Sequence, residues 1–234
     1  MVTNQRKLSV KHLNTENNLK FKFVWLGQTI LKYQVPLDIF NALNKIYENN
    51  FKNMPDAHKQ LVGKIGKENS LFFSGADNNK MHKHNMLPPY VLNWFESIFK
   101  HYLEFNKINL YTLHLNSIWI NEMRANEYNP VHIHQGTIYT GLSSVMMLRL
   151  PKDMGLEHDR PDAPMNGKLQ ILGAAGGQFV KSDFGPITKE RDFYIFPYDM
   201  RHCVYPHTNP NAIRRTLAAN MDVEYNPVST RTAG

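Results

Sequence analysis

A single cysteine, Cys203, stands among 234 residues, which excludes an intrachain disulfide and makes a reducing compartment the natural setting. No apolar run approaches the length of a membrane span, and Met1–Lys7 lacks the apolar stretch of a signal peptide, so a soluble, cytoplasmic chain without a membrane partner is expected. Internal repeats and low-complexity tracts are missing too, and Gly176-Gly177 marks a turn rather than a phosphate-binding loop. A tight Arg-rich cluster is also absent. The net charge of +7 is spread thinly through Lys7, Lys11, Lys20, Lys22, Lys45, Lys52 and Lys59. That distribution describes a solvated surface and disfavours a nucleic-acid partner while leaving one open. Oligomeric state is not legible.

The chain is long enough to bury a full core and is read as one domain over residues 1–234, mainly β with flanking helices (α+β). Residues 1–108 carry a hairpin and supporting helices, 109–224 a strand-rich core, and 225–234 a flexible tail. Phe21, Phe23 and Trp25 alternate, as do Thr29, Leu31 and Tyr33, with Gly27-Gln28 between them, and this pattern predicts a hairpin over 20–34. Pro36 to Tyr47 repeats its apolar residues at helical spacing. Residues 53–86 read as an irregular covering loop with a short helix near Lys59 to Ile65. A second helix runs from Leu87 to about Lys107, its stripe formed by Val91, Trp94, Phe95, Ile98, Phe99 and Leu103. From Leu110 onward strands dominate, including Tyr139 to Leu150 and Lys168 to Leu172. The polar insertion Asp153 to Asn166 reads as a loop over a site entrance.

Most of the eleven histidines are ordinary residues. Two segments stand apart. In Asn129-Pro-Val-His-Ile-His134, Pro130 discourages helix, and alternation puts His132 and His134 on one face of an extended segment where they can share a metal. Phe193 to Pro206 reads as two short strands joined by a turn at Pro197 to Asp199, with His202 at the start of the second. Arg214 to Val223 then alternates, so that Arg214, Thr216, Ala218 and Asn220 share a face. Three imidazoles suit several first-row metals. An arginine behind them can fork onto a carboxylate, with the Thr216 hydroxyl adding a third bond. Cys203 points to the opposite strand face and reads as a packed thiol.

Trp119-x-Asn121, Asn129-Pro-Val-His132-x-His134-x-Gly136, Tyr194-x-Phe-Pro197, His202-x-Val-Tyr-Pro206 and Arg214-x-Thr216 together resemble the Fe(II)- and 2-oxoglutarate-dependent oxygenases. The likeness covers roughly residues 110–224 and is closest to the prolyl-hydroxylase-like branch, particularly small cyanophage-encoded members, which would place the chain in a host cytoplasm. It implies a double-stranded β-helix, a jelly roll of cupin-like form with the metal at its mouth. It also implies Fe(II), 2-oxoglutarate and O2 as cofactors, with ascorbate as an accessory reductant, and succinate and carbon dioxide as co-products. By position, His132 resembles the first ligand, His202 the distal ligand, and Arg214 with Thr216 the anchor of the co-substrate. Asn121 and Tyr139 are further candidates for contact with the co-substrate. The substrate is unnamed by the sequence, with prolyl or other peptide hydroxylation as the leading expectation.

One position departs from the pattern. The family commonly shows His-x-Asp or His-x-Glu, and here the third place is His134. Three readings stay open: a three-histidine iron site; His134 as first ligand with Gly136 at the carboxylate's place, as in iron halogenases; or a non-catalytic cupin-like binding module.

Overall fold

Alternation of inward and outward side chains from Tyr111 onward is realised as eight strands that change sheet as the chain advances. In a computed structural model, residues 27–57, 62–75, 81–155, 165–173, 176–178 and 180–225 are described. Their elements are β1 (Leu31–Gln34), α1 (Leu37–Asn50), β2 (Lys67–Phe73), β3 (His84–Asn85), α2 (Pro89–Phe105), β4 (Tyr111–Met123) and β5 (Asn129–His132). There follow β6 (Gly141–Arg149), β7 (Leu169–Leu172), β8 (Asp183–Phe184), β9 (Asp192–Pro197), β10 (Arg201–Val204) and β11 (Arg214–Tyr225). One sheet has the order β1-β9-β6-β11-β4-β2-β3 and the other β5-β10-β7-β8, with every pairing antiparallel. Strands β4 to β11 therefore form the expected jelly roll, or double-stranded β-helix, in which neighbours along the chain sit mostly in opposite sheets.

The larger sheet is buried on both faces. Met146, Leu148, Phe193, Ile195, Leu217 and Ala219 pack with the stripes of α1 and α2, namely Ile39, Leu43 and Tyr47, and Val91, Phe95 and Phe99. On the other face, Val145, Met147, Tyr194 and Phe196 meet Leu169, Ile171 and Val204 of the smaller sheet. The two clusters are thus separated by strand parity alone. Both helices begin just after a proline, Pro36 and Pro88, whose missing N–H costs nothing at a helix start.

Of the hairpin expected over 20–34, one arm, residues 20–26, lies outside the described residues; in the other, β1 pairs with β9, Leu31 opposite Ile195. One expectation is corrected: residues 53–86 are not irregular throughout, because β2 adds to the edge of β4 and carries β3 in turn. Glu68, Asn69 and Ser70 of β2 are buried. Their polarity, which faces a cavity and neighbouring side chains, disguised a strand as a loop. Of the short helix expected near Lys59 to Ile65, residues 59–61 lie outside the described residues and 62–65 are not helical, Lys64 forming an isolated bridge with Tyr128. Most of the 153–166 insertion and the tail from 226 also lie outside the described residues. The helices, the long β4 and the strands β6, β7, β9, β10 and β11 stand where the sequence placed them.

The helix layer is also held by charge. Arg215 projects from β11 away from the smaller sheet and donates to Glu122 Oε1 from Nη2 (2.8 Å) and Nε (3.0 Å), while Lys67 Nζ reaches Glu122 Oε2 at 3.1 Å. The same guanidinium contacts Glu48 of α1 at 3.3 Å and lies 4.4 Å from the ring centroid of Tyr47. Burial alone would raise the Glu122 carboxyl. The bonds and charges of Arg215 and Lys67 outweigh it and hold the group below its ordinary value of 4.5. Its stabilising contribution is therefore complete above about 4.5 and is lost as pH falls through the depressed value. Arg215→Ala, which strands a buried carboxylate, is expected to lower unfolding free energy by about 3 kcal/mol, read from a denaturant midpoint at neutral pH. A change within experimental error would show that the network is not structural.

Candidate metal centre

His132 closes β5 and His202 is the second residue of β10, and the two strands pair so that these histidines stand directly opposite each other. β5 is an edge strand, which is why Pro130 is accommodated within it. Two residues past His132 the chain is fastened again, His134 N–H donating to Tyr198 O at 2.9 Å. The three imidazoles converge, with ring centroids 4.2 Å apart for His132 and His202, 4.9 Å for His134 and His202, and 5.0 Å for His132 and His134. One ligating atom from each lies within 4.8 Å of the others.

The rings are oriented from behind. His132 Nδ1 lies 2.7 Å from Pro130 O and His202 Nδ1 lies 3.0 Å from Met200 O, so each Nδ1–H has a main-chain acceptor and each Nε2 keeps its lone pair for the centre. Burial pushes His132 below its usual value. Burial and the neighbouring imidazole of His132 bring His202 down to about 4, and burial with both neighbours drives His134 well below the ordinary range. All three are therefore neutral at physiological pH, the form that ligates a metal.

The loop that presents His134 is clamped by a buried carboxylate. Asp222 Oδ2 accepts from Thr137 N–H at 2.9 Å and from Asn116 Nδ2 at 3.4 Å, and Oδ1 accepts from Tyr198 OH at 2.9 Å. Burial, reinforced by that carboxylate, raises the Tyr198 phenol far above its usual value, so it stays a donor. Gly136 faces the same carboxylate so closely that a β-carbon there would overlap Asp222 Oδ1. What borders Gly136 is Asp222.

Beside the histidines opens a cavity of about 350 Å³, lined among others by Glu68, Ser70, Trp119, Asn121, Thr216 and Asn220. Asn121 is buried and its Oδ1 has no hydrogen-bond partner. One step along β11 from Thr216, Arg214 is 3% exposed, and its Nε is likewise without a partner. Nη2 of Arg214 contacts Met147 Sδ at 3.7 Å, and no carboxylate among the described residues forms an ion pair with it. Burial lowers this guanidinium to about 10, which leaves it cationic at neutral pH. A buried, uncompensated cation costs several kcal/mol unless an anion joins it.

Of the residues singled out by sequence, His132, His134 and His202 are brought together, and Asn121 and Thr216 line the cavity beside them. Arg214 lies behind that lining. Tyr139 does not join them: it is 85% exposed, on the loop before β6, and the Tyr198 ring packs where that loop turns in at Gly141. Sequence reasoning missed Glu68 and Ser70, because their strand was read as a loop. Asn220 and Asp222 were missed as well, although the parity of β11 already put them on the Arg214 face. Cys203 is a buried thiol, raised by burial, as expected.

Residues 117–220, from within β4 to within β11, match the family model described as "Putative 2OG-Fe(II) oxygenase". The matched stretch is 104 of the 234 residues, somewhat less than half of the chain, and falls in its jelly-roll core. The donor set fits the iron and 2-oxoglutarate of that family's description: three neutral imidazoles for the metal and a buried cation for an acid. The fold is similar to that of a Pseudomonas putida prolyl-4-hydroxylase, at 11% identity and TM-score 0.52, covering 86% of this chain and 93% of that one. It is similar also to a 2OG-Fe(II) oxygenase family oxidoreductase from Burkholderia pseudomallei, at 14% identity and TM-score 0.50, covering 84% of each chain. A third likeness is to a Trichoplax adhaerens prolyl hydroxylase in complex with a hypoxia inducible factor peptide fragment, at 11% identity and TM-score 0.50, covering 92% of this chain and 88% of that one. At such identities the likeness is one of fold. No curated protein matches the sequence. Among the described residues no helix is long and apolar enough to cross a membrane.

Because folded His202 resists protonation, the metal-free protein should lose stability as pH falls from about 6.5 toward about 4, where the unfolded chain takes up protons that the folded one does not. Thermal midpoints of chelator-treated protein across that interval check this, and a flat profile would contradict it.

Proposed function

We propose that this chain is an Fe(II)- and 2-oxoglutarate-dependent oxygenase that hydroxylates a C–H bond of a peptide substrate, with a prolyl residue as the first choice. His132, His134 and His202 would hold the metal, and Arg214 with Thr216 the far carboxylate of the co-substrate. The observation that carries the reading is the pairing of a neutral imidazole triad with a buried guanidinium that has no acid partner among the described residues. When bound, Fe(II), 2-oxoglutarate and O2 supply the oxidising chemistry, with succinate and carbon dioxide as co-products. The chain contributes orientation and exclusion of water. The strand pairing of β5 with β10 fixes two ligands, the Asp222 clamp fixes the third, and Trp119 and Ala218 give part of the cavity an apolar wall.

The other readings raised by the sequence are less well supported. An iron halogenase would need an open ligand place at Gly136, and that glycine abuts Asp222. A non-catalytic binding module gives no account of a charged guanidinium kept at 3% exposure. The choice of a peptide rests on fold neighbours that include prolyl hydroxylases, one of them solved with a peptide. Ascorbate would serve only as a reductant that keeps the iron ferrous.

Anaerobic titration with Fe(II) and then 2-oxoglutarate, followed by the visible charge-transfer band of the chelate, tests the site. His202→Ala is expected to abolish iron binding. Arg214→Ala should raise the 2-oxoglutarate concentration needed for the band at least about tenfold, the loss of a charge-assisted pair, with iron affinity unchanged. Normal turnover of 2-oxoglutarate by both variants would refute the assignment. Succinate release stimulated by proline-containing peptides, and by no proline-free control, tests the substrate. Chloride should leave the iron spectrum unaltered.

A further inference from the structure

The three imidazoles are not held alike. His132 and His202 have their tautomers set by main-chain carbonyls, of Pro130 and Met200, which no substitution of a side chain removes. His134 has no such carbonyl. Its Nδ1 lies 3.4 Å from the side-chain amide nitrogen of Asn220, and its Nε2 lies 3.0 Å from Nε2 of His202. Since His202 carries its proton on Nδ1, the short Nε2 to Nε2 contact requires His134 to donate through Nε2–H. His134 Nδ1 is then an acceptor, matched by the Asn220 N–H. In this arrangement the His134 lone pair faces Asn220, and the nitrogen nearest the centre carries a proton.

For His134 to offer Nε2 to a metal, its proton must move to Nδ1, and a buried Nδ1–H needs an acceptor. Asn220 has one to give. Its Oδ1 now accepts from Ser143 Oγ at 2.9 Å, and a half-turn of the amide would exchange the two ends, bringing Oδ1 to His134 Nδ1 and Nδ2 to Ser143 Oγ. A hydroxyl accepts as well as donates, so Ser143 serves either orientation. Asn220 is buried on β11, between Ala219 and Met221, and has little freedom beyond that turn.

We propose that Asn220 is the positioning residue for the third ligand: its amide turns with the His134 tautomer, and the orientation with Oδ1 toward Nδ1 makes His134 a ligand. This rests on the reading that all three imidazoles hold the metal. In effect, two ligands are fixed by the main chain and the third is set by a side chain.

Fe(II) affinity of the full chain, measured anaerobically without co-substrate, tests the idea. Asn220→Leu, which offers no acceptor, is expected to weaken Fe(II) binding by about 10- to 100-fold, the range for loss of a partner behind a ligand. Asn220→Asp, which can only accept, is expected to bind Fe(II) at least as tightly as the parent. Leucine within twofold of the parent, or aspartate weaker than it, overturns the proposal. Thermal midpoints of the metal-free variants separate a packing defect, which would weaken both alike. Should Asn220→Leu not fold, Asn220→Asp decides alone by the same criterion. His134→Ala keeps the two readings apart. If it binds Fe(II) like the parent, the triad falls and this inference with it; if it loses Fe(II) while Asn220→Leu does not, only the role of Asn220 is lost.

Discussion

A buried guanidinium with no carboxylate partner among the described residues is a costly feature, and much of the remaining architecture can be read as what keeps it in place. Arg214 and Arg215 are adjacent in sequence and both buried, yet their circumstances are opposite. Arg215 is saturated by Glu122, with Glu48 and Tyr47 around it. Among the described residues, the one hydrogen-bond contact of the Arg214 guanidinium is to the Met147 thioether. The strand that carries them is paired along its length with β4 on one side and most of its length with β6 on the other, so neither side chain can swing out to water without breaking the sheet. The pairing energy of the sheet thus holds a charge that would otherwise leave, and an acidic ligand relieves the cost.

The centre beside it is built on a different economy of parts. Two histidines come from paired strands and are aimed by main-chain carbonyls, so their placement follows from the backbone. His134 lies beyond the end of β5, where its main-chain N–H is fastened to Tyr198 O and its loop is held by side-chain features, the Asp222 clamp and the close approach of Gly136 to it, with the Asn220 amide 3.4 Å from its Nδ1.

Much of this was legible in the sequence wherever the period of the pattern matched the element. β4 and β11 alternate over many residues, β6 lies in one long apolar run, and the stripes of α1 and α2 repeat at helical spacing, so these elements declared themselves. β2 did not, because a strand whose buried side chains include Glu68, Asn69 and Ser70 carries no apolar alternation to read. The pairing of β1 with β9 could not be read, since β9 lies some 160 residues away in sequence, opposite Leu31 only once the jelly roll has closed. Within the site, parity brought His132 and His134 together and grouped Arg214 with Thr216. It could not say that Tyr139 points to solvent, which depends on how the loop turns at Gly141. Nor could it distinguish Asn220 as a neighbour of His134, which is a matter of distance between two strands.

The ten consecutive buried residues that begin β11 have a consequence for how this chain can change. Successive side chains there serve two unrelated tasks, one facing the cavity and the next facing the helices, with no exposed position between them to absorb an error. Substitution at one site disturbs one task. Loss or gain of a single residue between Arg214 and Asp222 would exchange the two faces beyond it, delivering leucine and methionine to the cavity and asparagine and aspartate to the helix layer. The count of residues in this segment is therefore more tightly constrained than the identity of most of them, and length variation between this chain and its relatives is expected in the loops on either side.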